Sequence, residues 1–268
     1  MVPKSRAQGI LIVSAELPHA DSLPPNHGRT ATARGQAFGD LLMRFETLRI
    51  PGTWAVDGRF ACHEVKRLLA VEPEQEVALL ADPSWASPAA PRRRFAVELS
   101  ERVSRARSAG FVISTLAISG GSGIGQPDLA MKYGITAIRP GSPGATSRRW
   151  LSWLHSGQTA GGPQFVRYGL WEIAPSVILP GEAGRATSRA VLRTIDRAAA
   201  EGGVSQIVVD VAGLARRRRT WKTLDTALRH ADRLRRGGSL EIAPLRLAVE
   251  RLGQRQRSPA RSILRPAA

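Results

Sequence analysis

A chain of 268 residues, 43% of them hydrophobic, can bury one large core, so a single domain is expected. The lone cysteine, Cys62, excludes an internal disulfide framework and a structural zinc site built on paired cysteines, and it fits a reducing compartment. With 39 Lys and Arg against 22 Asp and Glu, the net charge of +17 favours contact with polyanions, while 5% aromatic content argues against a dedicated nucleic-acid module.

The basic start Lys4-Ser5-Arg6 and the apolar run from Gly9 to Ala15 have the outline of a short signal peptide. The run is closed by Glu16, however, and reads as a first buried strand, Ile10 to Ala15. A loop rich in Pro, His and Asn follows from Leu17 to Gly28. Phe38, Leu41, Leu42, Phe45 and Leu48 then recur at helical spacing, so Arg34 to Leu48 is predicted as an amphipathic helix, followed by a turn at Pro51-Gly52 and a strand from Thr53 to Val56. A short helix near His63 to Leu69 leads to Glu76 to Ala81, whose nearly continuous apolar run suits a parallel strand covered on both faces.

After a Pro-rich loop, Asp82 to Pro91, the spacing of Phe95, Leu99, Val103 and Ala106 predicts a helix over Arg93 to Ser108, capped by Gly110. The strand Phe111 to Ile118, the glycine-rich turn Ser119 to Gly125, a helix near Asp128 to Tyr133 and the strand Ile135 to Ile138 come next. A loop from Pro140 to Thr146, a helix near Arg148 to His155, a strand from Phe165 to Ile173 and a loop from Pro175 to Gly184 follow. A helix Thr187 to Glu201, a strand Gln206 to Val211, a helix Thr220 to Arg236, a strand Ser239 to Ile242 and a helix Pro244 to Leu252 complete the chain. Seven or eight strands alternating with helices argue for a parallel sheet, either closed as a barrel or open and doubly wound. Residues 1–253 are assigned to this domain and 254–268 to a basic, disordered tail carrying Arg255, Arg257, Arg261 and Arg265. No segment nears the ~20 apolar residues of a membrane span, and a soluble cytoplasmic protein is expected.

Several motifs carry less than they suggest. His63-Glu64 lacks the second histidine one turn later that a zinc helix needs. The Gly120 to Gly125 turn matches neither a dinucleotide fingerprint nor a P-loop and reads as a strand-to-helix connection. Cys62 has no base partner in sequence and reads as a structural thiol. Core packing accounts for most of Trp54, Trp85, Trp150, Trp153, Trp171 and Trp221, and Trp85, in the loop after Asp82-Pro83, is the one candidate for a sugar contact.

Three stretches resemble the polysaccharide deacetylase (NodB-homology) family. These are Pro51-Gly-Thr-Trp-Ala-Val56; Glu76-Val-Ala-Leu-Leu-Ala-Asp-Pro-Ser-Trp85 with the helix beginning Phe95-Ala-Val-Glu-Leu99; and the closing unit from Gln206 through the helix to Arg236-Gly-Gly-Ser-Leu-Glu-Ile242. The resemblance, spanning residues 9 to 252, implies an α/β fold, an irregular (β/α) barrel of about seven parallel strands. It also implies a divalent metal such as zinc held by an Asp and two His, an Asp base for the attacking water and a late His acid, the chemistry that amide hydrolysis near neutral pH requires.

This chain departs from that pattern where the chemistry stands. Ala15 falls at the base position and Glu16 at the metal Asp. Leu80 and Ser84 fall at the two His, with Asp82 the nearest ligand-capable side chain, and Leu116 to Gly120 lacks the family's Arg. At the last strand, Val209-Asp210-Val211 lacks the acid His. The first expectation is therefore a catalytically degenerate scaffold that binds carbohydrate or another partner and needs no cofactor. The alternatives are an active divergent carbohydrate N-deacetylase, with Glu16, Asp82 and Asp210 as catalytic candidates and Glu16, Asp82 and His19 as metal candidates, and a polyanion-binding module centred on Arg216 to Arg219.

Overall fold

The computed structural model describes residues 8–17, 28–60, 62–71, 75–120, 123–141, 163–165, 167–180 and 188–257. Strand β1 (Gly9–Leu17) lies at the centre of a ten-stranded sheet. The chain continues through α1 (Gly28–Leu48), β2 (Thr53–Val56), α2 (His63–Arg67), β3 (Glu76–Ala81), α3 (Pro83–Ala86), α4 (Arg92–Ser108), β4 (Thr115–Ile118), α5 (Pro127–Lys132) and β5 (Ala137–Arg139). The short strands β6 (Gln164–Phe165), β7 (Trp171–Glu172) and β8 (Val177–Leu179) come next. They are followed by α6 (Ser188–Glu201), β9 (Val204–Asp210), α7 (Val211–Arg216), α8 (Arg218–Arg236), β10 (Leu240–Ile242) and α9 (Leu245–Arg257).

The strand order is β6-β7-β5-β4-β3-β2-β1-β9-β8, with β10 pairing the first residues of β1 below β2. Every ladder is parallel except β6 with β7. This is the expected α/β barrel, curled rather than fully closed: among the described residues no ladder joins β8 to β6 or β7. The single strand expected over Phe165 to Ile173 is two strands of two residues on either side of the 3-10 segment Arg167–Gly169, and the loop expected over Pro175 to Gly184 contains β8. Helix α9 continues through 254–257, where a tail is expected, because Arg255 donates to the carbonyls of Gly202 at 3.1 Å and Gln8 at 2.6 Å. Residues 258–268 lie outside the described residues. No helix among those described is long and apolar enough to cross a membrane.

Side chains alternate across each strand, and the two sets bury differently. Leu11, Val13 and Ala15, with Trp54, Val56, Val77, Leu79, Ala81, Ile207 and Val209, pack outward into one large core under the helices. Ile10, Ile12 and Ala137 face inward and meet Leu245, Ala248, Val249 and Leu252 of α9, which plugs the barrel floor. Polar side chains fix that plug. Thr53 Oγ1 accepts from Leu245 N at 2.8 Å, and Glu76 accepts from Arg246 N at 3.0 Å, Thr53 Oγ1 at 2.8 Å and Thr115 Oγ1 at 2.5 Å. The first N–H groups of α9, which have no partner within their own helix, are thereby satisfied by the barrel floor. The opposite end, at the C-termini of the strands, is the barrel mouth.

Candidate functional site

The inward parity of each strand carries polar residues to the mouth. On β1 it runs Ile10, Ile12, Ser14, Glu16, and on β9 Gln206, Val208, Asp210; Ala137 leads to Arg139 on β5. Ala55 and Leu80 likewise lead to Asp57 and Asp82, each one residue past its strand. Parallel barrels assemble their sites at this end. Two of these residues, Asp57 and Arg139, are not among the candidates legible in the sequence. The signal that would find them is strand parity carried one residue beyond the apolar run.

Glu16 and Arg139 form an ion pair across the mouth. Arg139 Nη2 lies 2.5 Å from Glu16 Oε1, with Arg139 2% exposed and Glu16 21%. The approach lacks the alignment of a hydrogen bond, so the attraction is that of an ion pair, and the buried Nε also has no hydrogen-bond partner among the described residues. Asp210 is the register partner of Glu16 on the neighbouring strand. Its side chain caps α7 by accepting from Ala212 N at 3.0 Å. Burial pushes the Asp210 carboxyl above the usual carboxylate range, and the charge of Glu16 adds to this, while the N–H groups of Gly213 and Ala212 and the Arg216 guanidinium act the other way.

Those of the remaining expected site residues that are described are used elsewhere. Asp82 is exposed and caps α3, accepting from Ser84 N at 2.7 Å. Its helix turns Trp85 into the core, where the indole is 2% exposed, tilted against Phe95 at 5.8 Å and covered by the Arg102 guanidinium at 5.2 Å, so Trp85 offers no open face to a sugar. Leu80 is a buried inward-facing residue, and Ser84 accepts from Arg94 Nη2 at 3.3 Å. Ala15 faces the helix layer, which makes Glu16 the mouth residue of β1. His19 lies outside the described residues.

Of the motifs set aside in sequence, His63 and Glu64 stand exposed on α2. Burial pushes the Cys62 thiol up, against its use as a nucleophile. The glycine-rich turn docks on the α3 segment through Gly125 N to Ala86 O at 3.3 Å. Gly120 is so close to Gly141 that a Cβ on the latter would stand 2.3 Å from the Gly120 carbonyl oxygen. The loops after β4 and β5 therefore touch beside the mouth.

The described part of this architecture is shared with solved structures. One is a candidate polysaccharide deacetylase from Mycobacterium smegmatis, with a TM-score of 0.65 and 12% identity over 98% of this chain and 96% of that one. The chain has the polysaccharide deacetylase fold. The Puue allantoinase shares it, with a TM-score of 0.63 and 12% identity over 95% of this chain and 93% of that one. No family model and no curated protein matches the sequence.

The deacetylase fold implies a divalent metal at the mouth, and the described residues there do not fit one. Among the described residues no three His, Cys, Asp or Glu side chains converge as a ligand set. Glu16 is paired with Arg139 and Asp82 with the N-terminus of its helix, while Leu80 and Ser84 offer an alkyl group and a hydroxyl.

Proposed function

We propose that this chain is a deacetylase-fold protein that binds a polyhydroxylated carbohydrate at the barrel mouth without hydrolysing it. The observation that carries this reading is unused hydrogen-bonding capacity along the inward face. Arg139 Nε, Asp57 Oδ2 and Gln206 Oε1 are all buried without a hydrogen-bond partner among the described residues, although Gln206 Nε2 donates to Ser14 Oγ at 2.8 Å. Buried polar groups left unpaired cost free energy, and such atoms are ordinarily satisfied by water or a ligand. Donors and acceptors together suit sugar hydroxyls, which both give and accept hydrogen bonds. Titration calorimetry with N-acetylglucosamine oligomers, alongside an acetate-release assay, tests it. Binding that is lost in Gln206→Leu, with no acetate released, is expected; acetate released in an Asp210-dependent way would overturn the reading.

A second reading rests on a different surface. Arg189, Arg193 and Arg197 stand exposed at four-residue intervals on α6, and Arg219, Lys222, Arg229 and Arg233 are exposed on α8. The two helices are joined side by side by Ser188 with Thr223 at 3.0 Å and Asp196 with His230 at 2.6 Å, so their basic rows are neighbours. This favours an α6–α8 face for a polyanion over the Arg216 to Arg219 cluster alone. Duplex DNA provides the probe: retention should fall steeply with salt and weaken in Arg193→Gln/Arg229→Gln, and retention unchanged by salt would refute it.

A further inference from the structure

We infer that the Arg139 guanidinium is the resident cation of the barrel mouth, standing to Glu16 as a divalent ion stands to a carboxylate ligand, and that its presence closes the mouth to such an ion. The inference deepens the non-hydrolytic reading and rests on it.

Three observations carry it. First, a guanidinium carries a delocalised positive charge, and at 2% exposure that of Arg139 has left bulk water, so a cation sits inside the mouth. Second, its one ion-pair partner among the described residues is Glu16, at 2.5 Å, and Glu16 is the mouth residue of β1. A divalent ion placed on Glu16 would have to displace a buried guanidinium or sit against it, and like charges at that distance repel strongly where water is scarce. Third, the pair spans the sheet. Between β5 and β1 lie β4, β3 and β2, so the contact ties two strands that share no ladder. A metal bridging side chains from separate strands would make the same cross-barrel tie.

If the guanidinium acts as the counter-ion, then its charge, rather than its bulk, is what the mouth requires. Arg139→Met keeps the unbranched apolar stem and loses the charged guanidinium, leaving Glu16 partly buried without a cation. A loss of roughly 6–15 °C in Tm is expected from breaking one such pair in a chain of this size. Adding Glu16→Gln removes the stranded charge and should recover at least about half of that loss. The native protein should purify with substoichiometric metal, and its Tm should not move in millimolar Zn2+ or Co2+. If Arg139→Met alone does not fold, a folded double variant is itself the expected rescue.

Two results would overturn the inference. One is stoichiometric metal in the native protein that disappears in Glu16→Gln. The other is a double variant no more stable than Arg139→Met, which would reduce Arg139 to packing. Acetate release by metal-free protein would instead sink the non-hydrolytic reading and leave the resident cation standing, while bound metal without acetate release would do the reverse.

Discussion

Glu16 and Asp210 are register partners on adjacent parallel strands, so two carboxyl groups face the same side at the barrel mouth and only Glu16 is paired with Arg139. Asp210 instead caps α7 through Ala212 N. Its pKa is raised by burial first, with Glu16 contributing. A raised folded-state pKa contributes stability that is fully present below the unfolded carboxylate value, near ~3.9, and lost as pH rises through the folded value. Stability should therefore decline as pH rises above about 4. Asp210→Asn keeps an acceptor for Ala212 N and removes the titration, so it should flatten part of that decline in urea unfolding measured across pH. An unchanged slope would show that Asp210 does not titrate there.

Asp82 yields a contrasting expectation. As the cap of α3 it accepts from Ser84 N, and Asp82→Ala should cost about 1 kcal/mol in chemical denaturation, with Asp82→Asn costing much less. Neither variant should alter carbohydrate binding or metal content. A change in either, at equal stability, would return Asp82 to the site.

The difference between these two aspartates shows what can be read from sequence. Apolar periodicity locates β1, β3 and β9, because strands buried on both faces are written as continuous runs such as Glu76 to Ala81. It also places Glu16, Asp82 and Asp210 at strand ends. It cannot say which of them a neighbouring N–H or guanidinium takes up, since Arg139 is 123 positions from Glu16 and meets it only once the sheet curls. Ending the fifth strand at Ile138 omits Arg139 by one residue. The two-residue strands β6 and β7 are too short for any period, and Trp85 reads as a loop residue because the helix that Asp82-Pro83 starts, an N-cap followed by proline at the first helical position, is a single turn with no apolar period to reveal it.

The barrel floor supplies a second titration. Glu76 is fully buried among Thr53, Thr115 and the N-terminus of α9, and burial raises its pKa against the opposing hydrogen bonds and the charge of Arg246. The sign is that of Asp210: stability present at low pH is withdrawn as pH rises through the folded value. Glu76→Gln resembles the protonated form, retaining an acceptor for Arg246 N. It should be close to neutral near pH 4.5 and should gain on the native protein by about 1.4 kcal/mol for each unit by which the folded pKa exceeds the unfolded one. Thr53→Val, which strands Leu245 N, should instead cost about 1–3 kcal/mol at every pH. A Glu76→Gln variant that loses stability equally at all pH would mean that the carboxylate itself is required at the floor.

Gly213 tests how tightly the mouth is built around Asp210. In an ordinary helix, Gly→Ala gains roughly 0.5–1 kcal/mol through backbone entropy and helix propensity. Here a Cβ would fall 2.6 Å from Asp210 Oδ2 and equally close to the Pro180 ring. The ring has no rotamer that clears the space, and Asp210 is held by Ala212 N, so α7 must shift as a unit. Gly213→Ala should therefore be destabilising by about 1–3 kcal/mol, the range for overpacking a filled site. Because the shift moves the N-terminus that Asp210 caps, the same variant should weaken carbohydrate binding, measured by calorimetry at a temperature where both proteins are fully folded. A stabilising Gly213→Ala would mean that α7 and the Pro180 loop have slack, and that Asp210 is held by its strand alone.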